Sequence, residues 1–214
     1  MNKEARKHFL RAFGLGLGFA TVAYVFLTIM RDIRDNYMVN IWNELGYGND
    51  YSIFTKTETN TSVVVLLIMS LLVIIRKNIR ALTIAHYVIV AGLALAGVSS
   101  LLFISGSLNG AVWMQLVSLG LYMGYIPFNC IFFERLIASF KITGNVGFLI
   151  YFADAFGYLG SVLAMLGKEF MNLQSDWSQF YSKIVVIGSL IALAGTFFSY
   201  FYFRKKYFSS QTIS

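Results

Sequence analysis

The sequence predicts an all-α, polytopic membrane protein with six transmembrane helices. Of its 214 residues, 57% are hydrophobic and only 13% are charged, whereas soluble proteins are about one quarter charged. The mean hydropathy is +0.67. The apolar residues also fall into six long runs, and a run of about 20 such residues crosses the hydrocarbon core of a bilayer as a helix. Runs of this length are too continuous for the strands of a membrane barrel.

The six spans are expected over about 10–42, 59–75, 82–105, 110–133, 146–167 and 183–203. Residues 1–9 form a lead and residues 204–214 a tail, so residues 1–214 are one domain. The short connections at 76–81 and 106–109 bring consecutive helices together as neighbours. The longer connections, 43–58 and 168–182, are predicted as loops or helices at the membrane surface.

The basic residues predict the orientation, because cytoplasmic connections are enriched in Lys and Arg. With the N-terminus inside, twelve basic residues lie on the cytoplasmic side and five on the outer side. Both termini are therefore expected in the cytoplasm. The outer set is Arg31, Arg34, Lys56, Lys168 and Lys183.

The first span raises a question at "TIMRDIRDNY", residues 28–37, where four charges follow an apolar run. Polar and amphipathic residues continue through these charges at spacings of 3 and 4, which is one face of an α-helix. We therefore expect the helix to continue to about residue 42, with Arg31 and Asp35 paired at i,i+4 and with Asp32 and Arg34 as flanks. The alternative is a charge cluster that packs against the outer loops. The face consists of Thr21, Tyr24, Thr28, Arg31, Asp35, Met38 and Trp42.

Two further spans carry polar faces of the same period. Because unpaired polar groups are costly in lipid, these faces must meet protein or water. They either line a cavity or simply join neighbouring helices. Asp154 is the strongest candidate for a task, as an ion-pair partner of an arginine across a cavity or in proton coupling. The faces are Gln115, Ser118, Tyr122, Tyr125 and Asn129, then Tyr151, Asp154, Tyr158 and Ser161.

Small residues at four-residue spacing predict close helix packing, and they occur at Gly120/Gly124, Ala153/Gly157 and Gly188/Ala192. The single cysteine, Cys130, is interpreted as a small core residue and excludes a disulfide. Glu134 and Arg135 fall where the fourth span meets the cytoplasm, as an ion pair for gating or packing or as a solvated helix end.

The sequence favours neither an enzyme nor a nucleic-acid-binding protein. It has no HExxH, GxSxG or Walker motif, and its two histidines, His8 and His86, offer no metal-ligand set. No catalytic residue, metal or cofactor is expected. The net charge of +7 comes from basic residues scattered between apolar runs, as membrane topology requires.

Three stretches resemble the second, six-helix half of a major facilitator superfamily transporter. They are "VFLTIMRDIRDNY" (25–37), "LGLYMGYIPFNCIFFERL" (119–136) and "FADAFGYLGSV" (152–162). The likeness is to the organophosphate–phosphate antiporters, which carry glycerol-3-phosphate or sugar phosphates. The chain is also similar to an uncharacterised family of bacterial membrane proteins on that scaffold. The loop "RKNIRAL" departs from the superfamily's fuller signature at that place.

The resemblance implies half of a major-facilitator-type bundle in the inner membrane of a bacterium. Arg31 matches the arginine that binds substrate phosphate, and Glu134 matches the acidic residue of the fourth helix; Asp154 has no such counterpart. The expected partners are the bilayer, an anionic solute and a second six-helix half, encoded by the same gene, a separate chain or a second copy. The alternative function is a non-transporting receptor or assembly subunit. The expected solute-binding residues are Arg31, Tyr24, Asp35, Gln115, Tyr122, Asn129 and Tyr158.

Overall fold

In a computed structural model, the described residues 3–141, 145–170 and 176–211 form helices joined by short turns, without a strand. The fourth span consists of α4, a π-helical segment at Phe128–Phe132, and α5. With that span counted once, six helices of the described chain are long and apolar enough to cross a membrane. The predicted all-α, six-helix polytopic fold is confirmed. The α-helices are α1 (Lys3–Glu44), α2 (Tyr51–Val73), α3 (Asn78–Ile104), α4 (Gly110–Pro127), α5 (Phe133–Ser139), α6 (Val146–Phe170) and α7 (Trp177–Gln211).

Helix α1 passes through the charged stretch without ending, as its 3,4 spacing predicts. It runs to Glu44 with one kink, at Tyr37, where φ is −115° and ψ is 17°. The region around the charges has no Pro or Gly to stop it. The charges at 31–35 therefore belong to a membrane-spanning helix.

Helix α2 begins at Tyr51, well before the expected residue 59. Asp50 caps it, because its Oδ1 accepts a hydrogen bond from the backbone N–H of Ser52 at 3.0 Å. Hydrogen bonds from Ser52 also hold the pKa of the Asp50 carboxyl below its ordinary value. Lys56 and Glu58, which fall in the segment predicted as a loop or a helix at the membrane surface, lie on this spanning helix.

A π-helical turn follows Pro127 in the fourth span. Proline has no N–H for the helical ladder, and π turns often accompany such interruptions. The wider turn changes which side chains point inward compared with an α-helical pattern. Cys130, within this turn, is exposed, so its interpretation as a core residue is wrong.

The helices form an open arc that has α3 and α7 at its middle and α2 and α6 at its ends, and α1 and α4 also contact each other. Helix α1 packs along α7 and α6, α3 packs along α4 and α7, and α2 packs on α4. The order around the arc is therefore α2, α4, α3, α7, α1 and α6. The two end helices are the least covered, with 22% of the most apolar window of each buried, against 39–61% for the other spans.

Small residues bring the helices close, as their spacing predicts. A Cβ atom added to Gly120 of α4 would lie 2.9 Å from the backbone nitrogen of Ala96 on α3. One added to Gly157 of α6 would lie 2.8 Å from Oγ1 of Thr28 on α1. These approaches set the distance between α3 and α4 and the distance between α1 and α6.

Candidate functional site

The polar faces of α1, α4 and α6 meet near the middle of the spans. The first span covers Arg11–Glu44, so at 1.5 Å per residue Arg31 lies about 5 Å from its midpoint. Asp154 lies about 5 Å from the midpoint of Val146–Lys168 by the same measure. A hydrocarbon core is about 30 Å thick. Both charged residues therefore lie within the core when these helices span it.

Tyr24 joins the three helices at the end of the site that is nearer the N-terminus of α1. Its side chain is completely buried, and its hydroxyl donates a hydrogen bond to Oδ1 of Asp154 on α6. Because the phenol has one proton, it can only accept from Asn129, whose Nδ2 lies 3.0 Å away. The orientation of the Asn129 amide is therefore fixed by Tyr24 and Asp154. Asn129 lies in the π turn.

Arg31 lies about two helical turns further along α1. Its guanidinium covers the ring of Tyr125 on α4, with Cζ 3.9 Å from the ring centroid, and Tyr125 stacks in turn on Tyr24. Oδ1 of Asp32 accepts from Nε and Nη2 of Arg31, at 3.1 and 2.5 Å. The Ser161 hydroxyl on α6 lies 2.7 Å from Oδ2 of Asp32.

These contacts form a closed circuit between α1, α4 and α6, which we name the polar ring. Helix α6 is joined to α1 at two points, Tyr24–Asp154 and Asp32–Ser161. Gly157 packs against Thr28 between them. The order of the pairs shows that α1 and α6 run parallel. The ring consists of Tyr24, Asp154, Asn129, Tyr125, Arg31, Asp32 and Ser161.

A second group of charges lies next to the ring, toward the C-terminal end of α1 and the N-terminal end of α2, which we call the outer end of the bundle. Arg34 is only 1% exposed, and it binds Oδ1 of Asp35 at 2.8 Å and the carboxylate of Glu58 on α2. The Tyr122 hydroxyl of α4 donates to Oδ2 of Asp35 at 3.2 Å. We name Arg34, Asp35, Glu58 and Tyr122 the outer cluster. Asp35 connects it to the ring, 4.0 Å from Nε of Arg31.

Two details of the charged stretch differ from the sequence prediction. The closer partner of Arg31 is Asp32 rather than Asp35. Arg34 is not a flanking charge, because it is more deeply buried than Arg31. It pairs with Glu58, which lies in the segment predicted as a loop or a helix at the membrane surface. The signal that could have found Glu58 is Asp50, a good N-cap residue eight positions before it.

Several expected site residues lie apart from the ring. Gln115 donates to the backbone oxygen of Thr57 at 3.4 Å and to Thr61 at 3.2 Å, and so ties α4 to α2. Tyr158 is 50% exposed on α6. Glu134 is exposed, and its neighbour Arg135 donates to Asn78 at 2.8 Å.

Asp154 also differs from its predicted pairing. Within the described residues, Asp154 accepts a hydrogen bond from the Tyr24 hydroxyl rather than pairing with an arginine. A tyrosine can donate to a carboxylate without neutralising its charge. The proton-coupling interpretation of Asp154 is therefore compatible with this geometry, whereas the arginine ion pair is absent from the described contacts.

The ring and outer cluster together contain more acids than bases. Asp32, Asp35, Glu58 and Asp154 face two guanidiniums, those of Arg31 and Arg34. Unpaired charge is costly inside a membrane, so protons or a bound cation would favour this arrangement. No group of three His, Cys, Asp or Glu in the described ranges is placed to hold a metal ion.

Two cavities open beside these groups. One, of about 360 Å³, lies between α2 and α4 and is lined by Glu58, Thr61 and Tyr122 together with apolar residues. The other, of about 270 Å³, is mostly apolar and lies between α1 and α6, with Thr21 and Phe152 among its walls.

Comparison with known proteins gives one match. The chain belongs to a family of unknown function (DUF5690), whose model matches residues 1–206. No curated protein and no solved structure matches significantly.

Proposed function

We propose that this family member is one half of a secondary transporter that moves a small anionic organic solute, with phosphorylated compounds as first candidates. The observation that supports it is Arg31 on the polar ring, near the middle of a membrane-spanning helix. Charged groups at that depth usually belong to substrate or ion pathways. A guanidinium is also the side chain best suited to bind phosphate or carboxylate.

The ring supplies what such a site needs besides the arginine. Tyr125 holds the guanidinium by a cation–π contact, which leaves its edge for hydrogen bonds. Asp32 neutralises it in the absence of solute. An entering anion would displace Asp32, and the excess of carboxyl groups around the ring favours entry together with protons. Asp154 is the candidate proton carrier.

A second six-helix half would complete the site by covering the open side of the arc. Tyr151 and Tyr158 on α6 are 76% and 50% exposed. Phenol hydroxyls left in hydrocarbon would lack hydrogen bonds, so protein or a water-filled cavity suits this face better than lipid. Solute bound between two halves would be released by rocking of one half against the other. The proposed location is the inner membrane of a bacterium, with both termini cytoplasmic.

Uptake of labelled organic phosphates and carboxylates into vesicles from the native host tests the proposal, because any partner half is then present. Arg31→Ala should abolish uptake that the unmodified chain supports. Lys56→Ala removes one positive charge from the exposed side of α2 and should leave uptake unchanged. Uptake that survives Arg31→Ala would overturn the role of the arginine.

A photoreactive benzoylphenylalanine in place of Tyr158 tests the second half. We expect it to couple to protein, which peptide mass spectrometry would identify as another part of the same gene product, a separate chain or a second copy. The same probe in place of Phe201, exposed on α7, should couple to lipid. Coupling to lipid at both positions would contradict the partner.

The second candidate is a receptor or assembly subunit without transport. The observation that favours it is the mutual satisfaction of the ring, whose side chains already bind one another. Such a ring could hold three helices in place with no solute passing. Binding of an anion to the purified chain without flux in vesicles would select this alternative.

A further inference from the structure

A basic groove lies on the opposite side of the bundle, between α3 and α7. It has a volume of about 410 Å³ and is lined by nine residues, all apolar, hydroxyl-bearing or basic. Arg80 and Arg204 supply its charge, and Tyr87 and Tyr200 supply hydroxyl groups. None of these residues belongs to the polar ring or the outer cluster.

The groove lies at the depth of lipid headgroups. Arg80 is in the first turn of α3, which begins at Asn78, and Arg204 is near the end of the span Trp177–Ser209. Tyrosines are common at this level of membrane proteins. Toward the core, exposed Ile84 forms one wall of the groove, and exposed Phe201 and Phe197 continue the apolar surface along α7.

The hydroxyl groups leave a proton for a ligand. Nη1 of Arg204 donates to the Tyr200 hydroxyl at 2.9 Å, and the hydroxyls of Tyr87 and Tyr200 lie 2.9 Å apart. The two phenols have two protons, of which only one makes the bond between them. Whichever tyrosine donates, the hydroxyl proton of the other makes no bond in the contacts described here and can be donated to a ligand.

From this geometry we infer that the basic groove binds the headgroup of an anionic phospholipid from the surrounding leaflet. Arg80 and Arg204 bind the phosphodiester, the tyrosine pair adds a hydroxyl donor, and the acyl chains lie along the exposed aromatic surface of α7. Basic pockets between helices at the membrane surface are suited to such lipids. The groove opens sideways onto apolar surface, which favours a lipid over a soluble anion.

Native mass spectrometry of the purified full chain tests this inference with phosphatidylglycerol and phosphatidylcholine of matched acyl chains. We expect retention of phosphatidylglycerol to exceed that of phosphatidylcholine by at least about fivefold. Equal retention of the two lipids would overturn the inference, and this comparison needs no variant.

Variants then locate the site. The double variant Arg80→Gln/Arg204→Gln should weaken phosphatidylglycerol retention roughly 25-fold, since each basic residue near an anionic lipid contributes about fivefold. The matched control Arg76→Gln/Lys205→Gln removes the same charge from the same end of the bundle, outside the groove, and should change retention by less than about threefold. An equal loss in the control would show unspecific surface attraction and overturn the site.

Inorganic phosphate separates the lipid from a soluble anion. If the groove binds a lipid, millimolar phosphate should not displace phosphatidylglycerol. Displacement by phosphate would instead show that the groove binds free phosphate, and would overturn the inference that it binds a lipid. Size-exclusion chromatography of each variant checks that it remains folded.

Discussion

The hydroxyl of Tyr24 donates a hydrogen bond to the carboxylate of Asp154, across 130 residues of sequence and between two parallel helices. This contact lies near the middle of both spans. It joins α1 to α6 through a single hydrogen bond, as the contact between Asp32 and Ser161 does further along the same two helices. The stability of the bundle therefore depends on Tyr24.

Tyr24→Phe should destabilise the protein by about 1–3 kcal/mol, because it leaves the half-buried carboxylate of Asp154 and the Asn129 amide without their partner. Thermal unfolding in detergent micelles would measure the loss. Tyr151→Phe is the matched control, because Tyr151 is on the same helix as Asp154 but is exposed. If both variants unfold alike, the contact does not stabilise the bundle.

Arg34→Met should cost about 2–4 kcal/mol, because it leaves Glu58 and Asp35 without their counterion. The value is below that of a fully enclosed pair because the Glu58 side chain is 37% exposed. The double variant Arg34→Met/Glu58→Gln should recover part of the loss, as removal of both charges leaves fewer groups unpaired. Chemical unfolding of both variants, with Lys56→Met as control, measures this. No recovery in the double variant would argue against the pair.

The charged stretch shows how far the sequence predicts this site. The 3,4 spacing places Tyr24, Arg31, Asn129 and Asp154 on faces that do meet, because hydrophobic periodicity fixes which side of a helix is buried. The spacing does not predict which of the neighbouring charged residues is most buried or which partner each one binds. Arg34 is buried only because α2 begins early enough to bring Glu58 beside it, and that depends on contacts between distant helices.

The π turn marks a second limit. A 3.6-residue period predicts the faces of α4 up to Tyr125, but Pro127 begins a turn of different width. Asn129 still reaches Tyr24, whereas Cys130 faces outward. A sequence period cannot reveal this change, since the extra residue in the turn is set by local hydrogen bonding rather than by composition.

Asp32→Asn should raise the affinity of Arg31 for a small anion roughly 5- to 30-fold, because it removes the charge that competes for the guanidinium. Asparagine can still accept from Ser161, so the ring should persist. Calorimetric titration with organic phosphates would measure the change. Asp176→Asn, exposed ahead of α7, is the control. Unchanged or weaker binding by Asp32→Asn would contradict the role of Asp32 as internal counterion.

Uptake into vesicles should rise as the external pH is lowered below the internal pH, because the proposal couples entry of the solute to entry of a proton carried by Asp154. The groups that face Asp154 are Tyr24 on α1 and, through Tyr24, Asn129 and Tyr125 on α4. Asp154→Asn should flatten this pH dependence while leaving solute binding in place. A pH profile identical to that of the unmodified chain would exclude Asp154 as the proton carrier.

Gly157→Ala should weaken both hydrogen bonds between α1 and α6, Tyr24–Asp154 and Asp32–Ser161, at once. The added Cβ would lie 2.8 Å from Oγ1 and 3.0 Å from Cγ2 of Thr28, so the helices must separate, at a cost of about 1–3 kcal/mol. Gly167→Ala is a matched control, because nothing lies within 4 Å of its added Cβ. Alanine also favours the helix by up to about 1 kcal/mol there.

A double-mutant cycle separates this mechanism from simple overpacking. If separation of α1 from α6 already weakens the Tyr24–Asp154 bond, Tyr24→Phe should cost less in the Gly157→Ala background than in the unmodified chain. The cost of Tyr24→Phe in the Gly167→Ala background should be unchanged. Additive losses in both backgrounds would mean that the hydrogen bond survives the added methyl group, and that Gly157 does not set the distance across the ring.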